Sequence, residues 1–213
     1  MLDEDFELLK AWRRGDGRAG DALFKRHFAR IYRFLRSKVG PDAEDLAQRT
    51  FLALIENKER MWENTSFRAY AFGIARNQLL MHFRKLGYGK ETELESQAVF
   101  ALTGSGIETD LRKGEELRLV LRAMQKLPME FQMALELYYW EDFSVAEIAG
   151  VLDVAPGTVK SRLWRGRELL RGAIESSEVP AALRESTLGE LNRWIGALRD
   201  HMGAKEGKEG EDS

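Results

Sequence analysis

Between residues 158 and 171 the chain gathers Thr158, Lys160, Ser161, Arg162, Trp164, Arg165, Arg167 and Arg171 against a single carboxylate, Glu168. Five cations (Lys160, Arg162, Arg165, Arg167, Arg171) less that one carboxylate leave a local surplus of four positive charges. Ammonium and guanidinium groups neutralise phosphates, and guanidinium and hydroxyl groups match the donor and acceptor pattern of base edges. The set is therefore suited to duplex nucleic acid. A solvated basic helix in a bundle has the same spacing, and spacing alone leaves both readings open.

A second set lies upstream. Trp62, Phe67, Tyr70, Phe72 and Phe83 are interleaved with Arg68, Arg76, Arg84 and Lys85. Ring faces stack on unstacked bases while cations hold phosphates, the combination that suits single strands. Phe72 and Ile74 read as core whatever the chemistry, whereas Trp62, Asn64, Asn77 and the basic residues are harder to account for as packing. A third set, Asp42, Glu44 and Asp45, has the residue types of a metal or acid–base cluster. Carboxylates in a first helical turn also complement the helix dipole, and no histidine lies nearby in sequence to complete a site. With no cysteine, and with His27, His82 and His201 far apart, neither a metal centre nor a cofactor is expected.

The 213 residues are 44% hydrophobic and 32% charged, the profile of a helix-rich soluble chain. Net charge is −2, so affinity for nucleic acid has to come from local patches. The opening MLDEDFELLK is not a secretory signal, and no apolar run reaches the ~18 residues of a membrane span. A cytoplasmic protein without membrane insertion is expected.

The elements that must position these residues are helices. In residues 144–152, Val145, Ile148, Ala149 and Leu152 recur at helical spacing, with Ser144 as cap and Glu147 completing a capping box. A turn is predicted at Asp153 and Val154. After Pro156 and Gly157, Thr158 is predicted to cap a second helix. Its Val159, Leu163 and Leu170 face inward, and Lys160, Ser161, Trp164, Arg165 and Arg167 point away. This is the layout of a helix-turn-helix, whose second helix enters the major groove.

Upstream, helices are predicted over residues 6–14 and 20–39, the latter with Leu23, Phe24, Phe28, Ile31, Phe34 and Leu35 as its stripe. Asp42 is predicted to cap a helix over 43–57, with Leu46, Ala47, Thr50, Phe51, Leu54 and Ile55 on one side and Glu44, Asp45, Gln48 and Arg49 on the other. Two helical pieces follow at 67–75 and 76–86. Residues 87–114 read as an interdomain linker, long for a loop inside one compact domain. Helices over 115–126 and 129–139 lead into the helix-turn-helix. A further amphipathic helix is predicted over 181–202, with Leu183, Leu188, Leu191, Trp194, Ile195 and Leu198 as its stripe, before a charged, disordered tail. The expected fold is all-α: two small helical domains (1–86 and 115–173) joined by a flexible linker (87–114), plus a C-terminal extension (174–213).

With both halves in view, the chain resembles the extracytoplasmic-function class of sigma-70-type sigma factors, bacterial initiation factors that keep regions 2 and 4 of the family. The likeness rests on AEDLAQRTFLALI (43–55) and FRAYAFGIARNQLLMHFRK (67–85) for region 2. For region 4 it rests on LPMEFQMALELYYWEDFSVAEIAGVLDVAPGTVKSRLWRGRELLR (127–171). The resemblance implies that Asp45, Gln48 and Arg49 dock on RNA polymerase core, whose β′ clamp helices and β flap are the implied partner surfaces. It implies that Asn64, Thr65, Ser66, Phe67, Arg76, Asn77, Arg84 and Lys85 serve the −10 element, where a base is extruded at a cost of a few kcal/mol. It implies that Thr158, Lys160, Ser161, Arg162, Trp164, Arg165 and Arg167 serve the −35 element, with Arg162 and Arg167 on phosphates. Asp153 stands where many members have a turn glycine, and aspartate tolerates that left-handed conformation. The extension after residue 174 lies outside the minimal plan, which makes an anti-sigma protein or self-regulation by the extension the expected control.

Three other readings fit parts of the chain. A stand-alone helix-turn-helix regulator uses only 144–171. A helical metal enzyme would need ligands beyond Asp42, Glu44 and Asp45. A structural adaptor would act through the 181–202 helix.

Overall fold

The computed structural model describes residues 2–60, 66–87 and 114–193. The predicted linker, the loop bearing Trp62, Asn64 and Thr65, and everything beyond Arg193 lie outside the described residues. All regular elements within them are helical.

Helix α1 (Leu2–Arg13) turns through Gly15, at φ +100, into α2 (Gly17–Val39). The Asp16 carboxylate starts α2 by accepting from the backbone N–H groups of Arg18 and Ala19 at 2.9 and 3.4 Å. The two helices approach closely because residue 20 is glycine: a Cβ there would sit 2.6 Å from Trp12 Nε1. A 3-10 turn over Gly40–Asp42 leads into α3 (Ala43–Glu56). Asp42 makes no side-chain cap bond, contrary to the sequence expectation, because the 3-10 turn already feeds backbone groups into the helix. Helix α4 (Phe67–Lys85) is capped by Ser66, which accepts from Ala69 N–H at 3.1 Å.

The two pieces expected at 67–75 and 76–86 are therefore one helix. Buried positions at Phe67, Ala69, Phe72, Arg76, Leu79 and Leu80 fall on more than one side of it. Helices α2 and α3 cover part of its surface and a helix of the second bundle covers more, which is why no single apolar stripe marks it in the sequence.

The second bundle begins with α5 (Glu115–Gln125) and α6 (Met129–Tyr139), followed by α7 (Val145–Leu152) and α8 (Pro156–Glu175). The capping box is present: Glu147 N–H donates to Ser144 Oγ at 3.2 Å and Ser144 N–H donates to Glu147 Oε2 at 2.9 Å. Asp153 adopts the left-handed conformation, φ 52 and ψ 52, that turns the chain between α7 and α8. The cap of α8 is Ala155, not Thr158. Pro156 occupies the first helical position, where its fixed φ fits and its missing N–H costs nothing, so the helix starts earlier.

Helix α9 (Ala181–Gly189) packs on α5 and α8 through buried Thr187, with Leu183 and Leu188 against the same core. It ends at Gly189, and three further helical residues bring Leu191 into the core; the remainder of the helix expected over 181–202 lies outside the described residues. Trp194, Ile195 and Leu198 lie outside the described residues.

The two bundles touch. Helix α7 lies along α4, and Phe143, just before α7, meets Phe72 edge-on with centroids 5.4 Å apart. Both rings are buried, and the apolar core runs on from one bundle into the other.

Candidate nucleic-acid interface

The inner side of α8 is fixed by packing. Val159, Leu163, Leu170 and Ile174 are buried, and Gly166 lets the helix lie against α6, since a Cβ there would come within 3.2 Å of the Leu135 side chain. That burial sets the rotation of the helix and turns Lys160, Ser161, Trp164 and Arg165 outward together, all four exposed. Trp164 is 63% exposed, a large ring held in water rather than against the core. Ser161 Oγ donates to Thr158 O at 2.9 Å, leaving its lone pairs free to accept from a base edge.

Two of the expected phosphate contacts point elsewhere. Arg162 reaches back to α6, where its guanidinium meets Glu130 at 2.9 Å, and its side chain is mostly buried. Arg167 is half-buried with its guanidinium 5.8 Å from the Tyr139 ring centre. Arg162 thus ties α8 to α6, and Arg167 lies alongside the same helix. Thr158 is half-buried at the start of the helix.

On α4 the expected set divides. Asn77, Arg84 and Lys85 are exposed, and Ser66 is half-buried at the helix start. Phe67, at 3% exposure, is a core ring tilted against His27 with centroids 5.2 Å apart. Arg76 is buried at 8% exposure and donates to Asn77 Oδ1 at 3.3 Å, which helps to orient that amide. Asn64 and Thr65 lie outside the described residues.

Ser66, Tyr70, Gly73 and Asn77 line a groove of about 460 Å³ whose other wall is Glu147 and Gly150 of α7. Ser66 Oγ donates to Glu147 Oε1 at 3.4 Å across it. Sequence reading gave Glu147 only a capping role. Nothing local tells that a carboxylate already bound to Ser144 has a second oxygen turned to a residue 81 positions away.

On α3, Asp45, Gln48 and Arg49 are exposed, with Arg49 Nη2 and Asp45 Oδ2 2.8 Å apart. Leu52 and Ile55 of the same helix are 58% and 45% exposed, and Phe28 of α2 is 43% exposed. The sequence placed Ile55 and Phe28 on inward stripes. The structure turns them out, because α3 and α2 already bury Leu46, Leu54, Leu23 and Ile31 against α4 and each other. Asp42 lies 3.4 Å from His82 and forms no group of metal ligands among the described residues.

Where the bundles meet, charges are enclosed. Burial pushes Lys38 below the ordinary lysine value, with Glu136 opposing that fall. Burial pushes Glu141 above the ordinary glutamate value, with Arg30, Arg33 and Arg68 opposing that rise.

Comparison with known proteins finds two family regions along the chain. The sigma-70 region 2 family model matches residues 23–87, and the sigma-70 region 4 model matches residues 117–170. The chain is 31% identical over 168 residues to the ECF RNA polymerase sigma factor SigM of Mycobacterium tuberculosis, covering 78% of this chain and 82% of that protein. It is 32% identical over 180 residues to the RNA polymerase sigma factor CarQ of Myxococcus xanthus, covering 82% and 99% respectively. Among solved structures, CnrH in complex with the cytosolic domain of CnrY matches with a TM-score of 0.61 at 22% identity, over 82% of this chain and 99% of that one. The sigma factor RpoE of Bartonella quintana, in complex with the anti-sigma factor NepR, matches with a TM-score of 0.57 at 22% identity, over 74% and 98%. The chain, with its two family regions in order and its exposed basic helix in the second, belongs to the ECF class of sigma-70 RNA polymerase sigma factors.

Proposed function

We propose that this sigma factor reads promoters with two separate surfaces: α8 on the −35 element and the Ser66–Asn77 side of α4 on the −10 element. The observation that carries the reading is the single exposed face of Lys160, Ser161, Trp164 and Arg165, set opposite a fully buried apolar side. A helix held in this way presents donors and an apolar ring to base edges at once. Arg162 and Arg167 act beneath it by fixing the helix angle. Asn77, oriented by Arg76, together with Ser66 and the loop before α4, takes the extruded base, while Arg84 and Lys85 hold the strand at the end of α4.

Region 2 (1–86) and region 4 (115–173) act as two domains on the linker 87–114. Core polymerase docks on Asp45, Gln48 and Arg49, with Leu52, Ile55 and Phe28 as the apolar centre of the patch, and its clamp helices and flap are the contact surfaces. The chain works by binding and performs no catalysis of its own. Its place of action is the cytoplasm, with the polymerase; no helix among the described residues is long and apolar enough to cross a membrane. An anti-sigma protein is the expected regulator. Lys160, Ser161, Trp164 and Arg165 stay exposed with α9 in place, so the described part of the extension does not mask the reading face.

Run-off transcription with purified core enzyme tests the proposal. Core plus this chain yields promoter-specific transcripts, and Arg165→Ala combined with Asn77→Ala abolishes them. Unchanged output from that double variant, or failure of the chain to co-purify with core, overturns it.

A further inference from the structure

We propose that Lys38 and Glu136 form a releasable latch between the two bundles, closing α7 over the Ser66–Asn77 groove in the free chain and yielding when the chain engages DNA. Lys38 belongs to α2 and Glu136 to α6, 98 positions apart, and their side chains are 0% and 2% exposed. The ammonium is fully occupied: it donates to Glu136, to Phe34 O at 2.8 Å and to Ser37 Oγ at 2.9 Å, and lies 3.9 Å from the centre of the Phe34 ring. The other Glu136 oxygen accepts from Gln132 Nε2 at 2.8 Å and from Ser37 Oγ at 3.4 Å. A second charged pair lies beside it, Arg30 and buried Glu141 at 3.6 Å.

The placement is unusual for a permanent core. Around the pair, Phe34, Phe72 and Phe143 are buried and meet edge-on, with centroids 5.3 and 5.4 Å apart. Two apolar side chains at 38 and 136 would extend that packing and hold the bundles together permanently. An ion pair behaves differently. Closing strips water from both charges, so the pair adds little net stability over apolar side chains, yet it is satisfied only in this one register. Opening returns both charges to water. The result is an interface specific in alignment and easier to part than one with apolar side chains at both positions.

Parting is required by size. A compact chain of this length is roughly 45 Å across. Elements named for positions −35 and −10 lie about 25 base-pair steps apart, roughly 85 Å along the duplex. The closed chain cannot reach both, and while it is closed Ser66 and Asn77 share their groove with Glu147 and Gly150. The latch rests on the proposed function only for this purpose; its existence is a property of the free chain.

The test uses the full chain with a spin-label pair at Asp21→Cys and Glu175→Cys, two exposed positions in a protein with no cysteine. Double electron–electron resonance on the unliganded parent gives a single narrow distance, which broadens and shifts when the bundles part. Lys38→Ala strands the Glu136 charge and shifts the closed-to-open ratio toward open by on the order of a hundredfold. Lys38→Met with Glu136→Leu stays closed and lowers run-off transcription several-fold. An open parent, a Lys38→Ala chain as closed as the parent, or a double variant that opens like the single one overturns the latch. A double variant that is closed yet transcribes at the parent rate also overturns it. If Lys38→Ala loses its helical circular dichroism, Glu136→Gln decides: a folded, open chain supports the latch and a folded, closed one refutes it. The distances are read without polymerase, so failure of the promoter-reading proposal leaves them unaffected.

Discussion

At the scale of single residues, the same basic helix contains two kinds of arginine. Arg165 is exposed beside Trp164, and Arg162 is spent on Glu130. Arg165→Ala or Trp164→Ala is expected to lower transcription from a −35-dependent promoter about tenfold, since one good base contact is worth ~1–3 kcal/mol. Neither change moves the melting temperature, because neither side chain packs on the core. Arg162→Ala leaves Glu130 without its partner, costs about 1 kcal/mol of stability in thermal unfolding, and affects transcription through the angle of α8. Equal melting temperatures for the Arg162 and Arg165 variants would contradict this division. Which residues face out was legible in the sequence, because Val159, Leu163 and Leu170 fix the phase of the helix. That Arg162 and Arg167 are anchored was not. The partners Glu130 and Tyr139 sit on another helix, and charge counting treats every arginine alike. The burial of Phe67 and Arg76 was not legible for the same reason: an aromatic or a cation within a polar stretch carries no local mark of burial.

At the scale of elements, capping chemistry was the most readable feature. Ser144 with Glu147, Ser66, and Asp153 in its left-handed turn use local groups whose spacing is visible in the chain. Helix α4 was harder to read, because neighbours from both bundles bury it on several sides and erase the period that marks a one-sided helix. The loop between α6 and α7 carries no sequence mark of burial, yet it brings Glu141 into the junction under Arg30 and near Arg68, whose guanidinium lies 4.2 Å from the Phe143 ring centre. Burial holds Glu141 above its ordinary value of 4.5, so the folded chain keeps a proton that the unfolded chain releases. Stability therefore falls as pH rises from about that value toward the raised one, and the penalty persists above it. Glu141→Gln is expected to remove this slope and to match or exceed the parent melting temperature at neutral pH. A lower melting temperature at pH 7 would show that the charged form is the favoured one, and an intact slope would show that it arises from another group.

At the scale of the whole molecule, the order of helices, the all-α class and the two family regions followed from periodicity and motif. The contact between the bundles did not, since it depends on pairs such as Lys38 with Glu136 and Phe72 with Phe143, each distant in sequence and each explicable locally as ordinary core or surface. That contact changes what the two surfaces mean. One, on α8, stands open in the closed chain, whereas the other, around Asn77, is shared with α7. On the proposed reading, engagement of the upstream element by the exposed helix is the step available first, and capture of the melted strand follows separation of the bundles. The most direct measurement is a hydroxyl-radical footprint of the reconstituted holoenzyme on a cognate promoter, with permanganate reactivity to locate unpaired thymines. Two protected patches about 25 base pairs apart are expected, the upstream one lost in Trp164→Ala with Arg165→Ala and the downstream melting lost in Asn77→Ala. A single contiguous patch, or both variants erasing the same patch, would contradict two surfaces reading two elements.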